Sequence, residues 1–329
     1  MQVFYTPQMV ANADSFSPSA AKPAQVVAAW QAAGFPIQVF APAPASLAQL
    51  YRAHDPAYVH DVLACRRSNG FGNRRQAVAQ SLRYTSGAMV AAVQAAIKEG
   101  GITCAPVSGF HHAGYDFGGG FCTFNGLMVA ALEVLECGLA QRVGILDCDM
   151  HYGNGTEQIL RHLGRRDVVH FSAGQDYGRP DQAEGFLAAL PKLVASRFAD
   201  CDVLIYQAGA DPHVNDPLGG WLTTEQLAER DRLVFATAHA LGVPVAWNLA
   251  GGYQRDAQGG ISPVLAIHAN TLREAFAMSA TNRWVGEGCQ QALVPACRRP
   301  GLVARQGGAG VRKGRGPVRG DGRVQIGEA

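Results

Sequence analysis

Seven short runs of branched and aromatic apolar residues recur along this chain with helix-length segments between most of them, and that alternation leaves few ways to fold. The runs cover residues 3–5, 37–40, 102–105, 143–146, 168–171, 202–207 and 243–249. Continuous apolar runs of this length read as strands covered on both faces, as in a parallel sheet. Residues 23–33, 47–54, 58–67, 85–99, 126–137, 156–163, 186–198, 223–241 and 261–277 read as helices. Thr85 and Ser86 can cap the helix that Gly100 and Gly101 stop, and Thr223 with Gln226 forms a capping box for the helix that Gly242 ends. The expected fold is therefore α/β, a three-layer α/β/α arrangement around a doubly wound, mostly parallel sheet.

The apolar period stops near Asn282, and residues 298–323 are rich in glycine and arginine. Residues 1–282 are expected to form one catalytic domain and residues 283–329 a solvated, disordered tail. A net charge of +2 over 329 residues offers no electrostatic case for nucleic acid as the main partner, leaving at most a weak role for the basic tail. Eight cysteines contain no Cys-x-x-Cys pair, and Cys104, Cys148 and Cys201 fall in or beside strands, which points to a reducing, cytoplasmic setting. The first residues lack a signal-peptide pattern, and the apolar segment 88–97 is too short to span a bilayer. Oligomeric state is not written in these features, and a homo-oligomer stays open.

Chemistry concentrates in Ile145-Leu146-Asp147-Cys148-Asp149-Met150-His151-Tyr152-Gly153-Asn154-Gly155. Asp147, Asp149 and His151, at alternate positions of an extended chain, project to one side. Two carboxylates and an imidazole converging at the end of a buried strand are costly unless a cation joins them. Asn154, three residues before Glu157, reads as the N-cap of the next helix. Ligands of open parallel sheets bind beyond the carboxyl ends of strands, and the other unusual residues fall there too: His111-His112, Asp211 and Tyr253. Asp149, His151 and Asp211 form an oxygen-rich set that fits Zn²⁺ and would also hold Fe²⁺, Co²⁺ or Mn²⁺. His111 and His112 suit general acid and base work, and Tyr253 suits donation to an oxyanion, so the set fits metal-assisted hydrolysis.

These motifs resemble the histone deacetylase and acetylpolyamine amidohydrolase superfamily, as a class II-like bacterial member. The resemblance rests on Gly109-Phe110-His111-His112-Ala113, Gly119-Gly120-Phe121-Cys122-Thr123-Phe124-Asn125, Asp147 to Gly155, Gln207-Ala208-Gly209-Ala210-Asp211 and Gly251-Gly252-Tyr253, in that order. It implies an arginase-like α/β fold, zinc held by Asp149, His151 and Asp211, His112 as base with His111 as its electrostatic or acid partner, and Tyr253 polarising the amide carbonyl. It further implies that Asp147 orients His111 and Asn154 partners His112, that Gly120 and Phe121 receive the acyl-lysine chain, and that K⁺ sits near Asp147, Asp149, His151, Ser172 and Ala173. The implied substrate is acetyl-lysine in a peptide, an acetylpolyamine or another small acetylamide. The second wall of the channel is unassigned, because the segment between Ser172 and Asp202 is shorter than in the best-known relatives. Two other readings are a ureohydrolase of the same fold, which would need more bridging carboxylates near Asp211, and a silent binder of acetylated ligands, which would need neither His112 nor Tyr253.

Overall fold

The structure, a computed structural model, describes residues 1–280. The tail expected over residues 283–329 lies outside the described residues. In chain order the elements are β1 (Gln2–Phe4), α1 (Lys22–Ala32), β2 (Gln38–Phe40), α2 (Leu47–Ala53), α3 (Pro56–Leu63), α4 (Gln76–Glu99), β3 (Ile102–Ala105) and α5 (Gly126–Glu136). There follow β4 (Val143–Asp147), α6 (Asn154–Leu163), β5 (Val168–Ser172), α7 (Ala173–Asp176), α8 (Ala183–Phe198), β6 (Val203–Gln207), α9 (Thr224–Leu241), β7 (Val245–Asn248) and α10 (Ser262–Ala280).

All seven strands run parallel in one sheet, in the order β2-β1-β3-β7-β6-β4-β5. Period-two alternation divides each buried strand between two cores. Val143, Ile145, Val203 and Ile205 face a cluster built with α2, α3, α4, α5 and α6. Leu146, Leu204, Tyr206, Val245 and Trp247 face the opposite cluster, built with α1, α8, α9 and α10. The three-layer α/β/α fold is the one expected. No helix among the described residues is long and apolar enough to cross a membrane. Cys104, Cys122, Cys148 and Cys201 are buried free thiols.

The starts of α4 and α6 differ from expectation. α4 begins at Gln76, so Thr85 lies inside it and its hydroxyl donates to the Leu82 carbonyl at 2.9 Å. Val78, Ala79 and Leu82 extend the helix backwards because their side chains are buried in the core. α6 is capped by the backbone of Gly153, which places Asn154 in its first turn instead of at the cap. The end of α3 also comes early, at Leu63, where Cys65 turns the chain with φ of 56°.

Register aligns the strand ends. Asp147 pairs with Ser172 and with Gln207, Gln207 with Asn248, and Asn248 with Ala105. The loops that leave β3, β7, β6 and β4, four consecutive neighbours, therefore start from one row across the carboxyl edge of the sheet.

Candidate active site

Beyond β4 the backbone leaves the ladder, and carboxylates take over its bonds. Asp147 Oδ1 accepts from Asp149 N–H at 3.1 Å, and Asp149 Oδ1 accepts from His151 N–H at 3.0 Å. These local turns project Asp149 and His151 into the same space. Asp211, on the loop after β6, meets them: its Oδ2 lies 3.1 Å from His151 Nδ1, which is 3.3 Å from Asp149 Oδ1. One ligand atom from each of Asp149, His151 and Asp211 can be chosen so that all three lie within 4.8 Å of one another. Gly251 donates its N–H to Asp149 Oδ2 at 3.0 Å, and a Cβ there would lie 2.2 Å from the Asp211 carboxylate. Only glycine lets this backbone pass so close.

Asp147 turns away from that group. Its Oδ2 accepts from His111 Nδ1 at 2.8 Å and its Oδ1 from Gln207 Nε2 at 3.0 Å. His112 Nδ1 lies 2.6 Å from Asn154 Oδ1, so Nδ1 carries the proton and Nε2 keeps its lone pair. The two imidazoles are 4.1 Å apart between ring centroids, and His112 is 5.9 Å from His151. The His111 carbonyl accepts from Gly155 and Thr156, which ties this loop to the start of α6.

The two histidines are tuned in opposite directions. Burial works against a charge on His111, but the Asp147 and Asp149 carboxylates outweigh it and raise the imidazole to about 9. Burial and the charge on His111 lower His112. Bonds to Asp149 and Asp211 raise His151 to about 10, while burial and the neighbouring Asp149 charge push Asp211 up to about 7. Two buried carboxylates thus repel each other beside the half-buried His151 imidazole, with His111 Nε2 3.5 Å from Asp149 on the other side. That donor set, two oxygens and one nitrogen converging with negative charge in excess, fits a divalent cation.

Tyr253 completes the ring of strand ends. Its N–H donates to Asp216 Oδ2 at 2.8 Å, and burial together with the Asp211 and Asp149 charges pushes its hydroxyl well above the usual phenol range. Such a hydroxyl stays protonated and can donate. Its ring lies 5.7 Å from that of Phe121. Phe121 has φ of 63°, Phe110 88° and Ala250 50°, so strained left-handed backbone gathers in the loops of this site. Gly120, itself at φ 54°, leaves no room for a side chain: a Cβ would meet the His112 ring at 2.4 Å. Ser172 Oγ accepts from Gly153 N–H at 3.0 Å, and Ala173 opens α7 in the buried floor beside it.

Three contributors escaped the reading of the residues. Lys22, wholly buried at the head of α1, donates through Nζ to the carbonyls of Ala250 and Gly251 at 2.5 and 2.6 Å. Burial lowers its ammonium to about 7, against the pull of Asp211, Asp149 and Asp216. Asp216 anchors Tyr253, and Phe16, 53% exposed, stacks on the Tyr253 ring at 6.0 Å with 11° between planes. No local pattern marks any of the three.

Comparison with known proteins converges on one family. A histone deacetylase domain matches residues 18–183 and 178–266. An uncharacterized protein of Picosynechococcus sp. is 32% identical over 242 residues, covering 67% of this chain and 80% of that protein. Histone deacetylase 2 of Arabidopsis thaliana is 30% identical over 45% of this chain and 43% of its own length. Acetylpolyamine amidohydrolase 1 of Pseudomonas aeruginosa is 49% identical over a shorter stretch, 19% of this chain and 17% of its own. In fold, the crystal structure of the HDA15 HD domain superposes with a TM-score of 0.69 at 21% identity, over 84% of this chain and 90% of that one. The chain belongs to the histone deacetylase family.

Proposed function

We propose that this protein is a metal-dependent amidohydrolase that removes the acetyl group from an acetylated amine, either acetyl-lysine or an acetylpolyamine. The observation that carries the reading is the Asp149–His151–Asp211 group beside two histidines with opposite protonation preferences. Asp149, His151 and Asp211 would hold the ion, Zn²⁺ first and Fe²⁺, Co²⁺ or Mn²⁺ as substitutes. When bound, such an ion polarises the amide carbonyl and makes water easier to deprotonate.

The chain's own residues perform the rest. His112 offers its Nε2 lone pair to the proton of the attacking water, because Asn154 accepts the Nδ1 proton. Its lowered pKa keeps it neutral at pH 7 and ready to act as base. His111, held cationic by Asp147, stabilises the negative charge that develops on the reacting carbon's substituents and supplies a proton to the departing amine. Tyr253 donates its hydroxyl to the carbonyl oxygen as that oxygen becomes an oxyanion. Phe121, Phe16 and the backbone of Gly120 flank the route by which the acyl chain arrives. A K⁺ ion near Asp147, Asp149, His151, Ser172 and Ala173 would offset the remaining negative charge below the site. Pairing of His112 with a neutral asparagine supports a class II-like assignment.

Acetate release by the metal-loaded protein tests this. An acetyl-lysine peptide, acetylputrescine, acetylspermidine and a trifluoroacetyl-lysine reporter form the panel, with His112→Ala as control. Turnover that disappears in the variant is expected, and the preferred substrate names the subtype. No turnover on any of them, with stoichiometric metal bound, would overturn this choice of substrate in favour of another small amide or of an acetyl-ligand binder.

A further inference from the structure

Helix α9 buries an ion pair against the loops that carry the ligands. Arg230 is fully inaccessible and Asp231 almost so. Arg230 Nη1 donates to two backbone carbonyls, that of Cys148 at 3.1 Å and that of Gly209 at 2.8 Å. Cys148 directly precedes Asp149, and Gly209 lies two residues before Asp211. The remaining guanidinium face meets Asp231, with Nε 2.9 Å and Nη2 2.8 Å from Oδ1. Asp231 is fixed in turn by the hydroxyls of Tyr206 at 2.5 Å and Thr271 at 2.6 Å.

A guanidinium taken wholly out of water costs several kcal/mol before its partners return any of it, and apolar side chains of similar volume often fill such a place at lower cost. Its position explains its presence. The last ladder bond between β4 and β6 runs from Cys148 N–H to the Gln207 carbonyl. Past that point no strand pairing joins the two loops, yet they must converge, and two like-charged carboxylates on them push apart. Gly209 is so close to Asp149 that a Cβ would lie 2.6 Å from its Cα. One nitrogen of Arg230 bonds a carbonyl from each loop where the sheet stops doing so.

We infer that Arg230, oriented by Asp231, is a positioning residue that sets the separation of Asp149 and Asp211 and so tunes the affinity of the metal site. The inference rests on the reading of Asp149, His151 and Asp211 as metal ligands. A planar guanidinium can serve Asp231 and two carbonyls at once, which a compact ammonium cannot. Ligand-orienting partners of this kind typically change metal affinity by roughly 10–100-fold when replaced.

The test is titration of the full chain, stripped of metal, with Co²⁺ and with Zn²⁺ against a chromophoric chelator. The visible spectrum of the Co²⁺ form and the thermal melt of the metal-free protein are recorded alongside. Arg230→Lys keeps the charge and the pair, while the double variant R230M/D231N removes both charges at similar volume. Arg232→Lys, on the exposed face of the same helix beside Glu229, is the control and binds as wild type. Expected for Arg230→Lys is Co²⁺ binding roughly 10–100-fold weaker with an altered spectrum, although the metal-free melt stays near that of wild type. The double variant decides the matter if the single one does not fold. Unchanged affinity and spectrum in a folded variant would overturn the inference, as would a lowered melt without an affinity change. Failure of both variants to fold would overturn it as well, making the pair part of the fold. Should wild type bind no Co²⁺ that Asp211→Asn abolishes, the metal-site reading itself falls and takes this inference with it.

Discussion

Two clusters of buried polar side chains lie on either side of His111 and His112, and they are built on opposite principles. Around His54 every group finds a neutral partner. Nδ1 donates to the Gly114 carbonyl at 2.8 Å, and Nε2 accepts from Asn125 N–H at 2.8 Å. The Asn125 amide reaches the Ala113 carbonyl and the Thr156 hydroxyl, and Tyr58 O–H donates to the Thr123 carbonyl. Around Asp149 and Asp211 two buried carboxylates lie side by side, sharing the His151 imidazole, with His111 Nε2 3.5 Å from Asp149 Oδ1. A satisfied neutral network stiffens the frame behind His111 and His112. One that sets two buried carboxylates side by side costs folding energy, and the metal-ligand reading gives that cost a purpose. Stability and chemistry are thus assigned to different side chains on either side of His111 and His112, and variants should separate them.

The largest effect is expected at the charged cluster. Asp211→Asn should abolish stoichiometric Co²⁺ binding and acetate release together, while the metal-free melting temperature holds or rises, because a like-charge repulsion has gone. A fall in that melting temperature would show that the cluster supports the fold after all. Next comes Tyr253→Phe, which under the proposed mechanism removes one donor to the developing oxyanion and should lower kcat by roughly 10²–10³-fold with little change in metal affinity.

At the neutral cluster the signs reverse. His54→Gln should cost roughly 1–3 kcal/mol of stability, read from denaturant melts, and leave kcat of the folded protein near that of wild type. The same histidine predicts a pH dependence. Burial lowers its imidazole from 6.5 to about 4, against the opposing pull of the Gly114 and Tyr115 carbonyls. As pH falls, the unfolded chain therefore takes up this proton before the folded one does. The contribution is fully present above the unfolded value and is lost progressively as pH falls from 6.5 towards 4. At about 1.4 kcal/mol per pH unit it amounts to about 3 kcal/mol. Melting temperature should decline across that window, and His54→Gln should flatten the decline; parallel curves would assign it to other groups.

The smallest change tests the border between the clusters. Asn154→Asp places a charge beside His112 and should raise its pKa, moving the acidic limb of kcat/KM upward by about one unit. An unmoved limb would mean that another group sets it.

Much of this was legible because it is local. Strand residues 143–147 and 203–207 are buried along their whole length, and an apolar run of that kind cannot be anything but interior sheet in a chain of alternating elements. Once the strands are parallel, their carboxyl ends share an edge, so His111, Asp149, Asp211 and Tyr253 had to come near one another. Local pattern misled at α4, where Thr85 and Ser86 resemble caps but lie inside a helix that the buried Val78 and Leu82 extend. It misled again at Asn154, whose side chain meets His112 because Gly153 supplies the cap.

By itself, then, the order of residues determined the layers, the sheet and the edge on which chemistry collects, since period and spacing act between neighbours in the chain. Only the tertiary structure decided how that edge is held. Lys22 grips carbonyls 228 and 229 residues away, Arg230 grips one 82 residues away, and Phe16 covers a tyrosine from the far end of the chain. Each of these bonds goes to backbone carbonyls or to a ring face, which every residue or many residues offer. A partner of that kind leaves no mark in sequence, and packing alone chooses it.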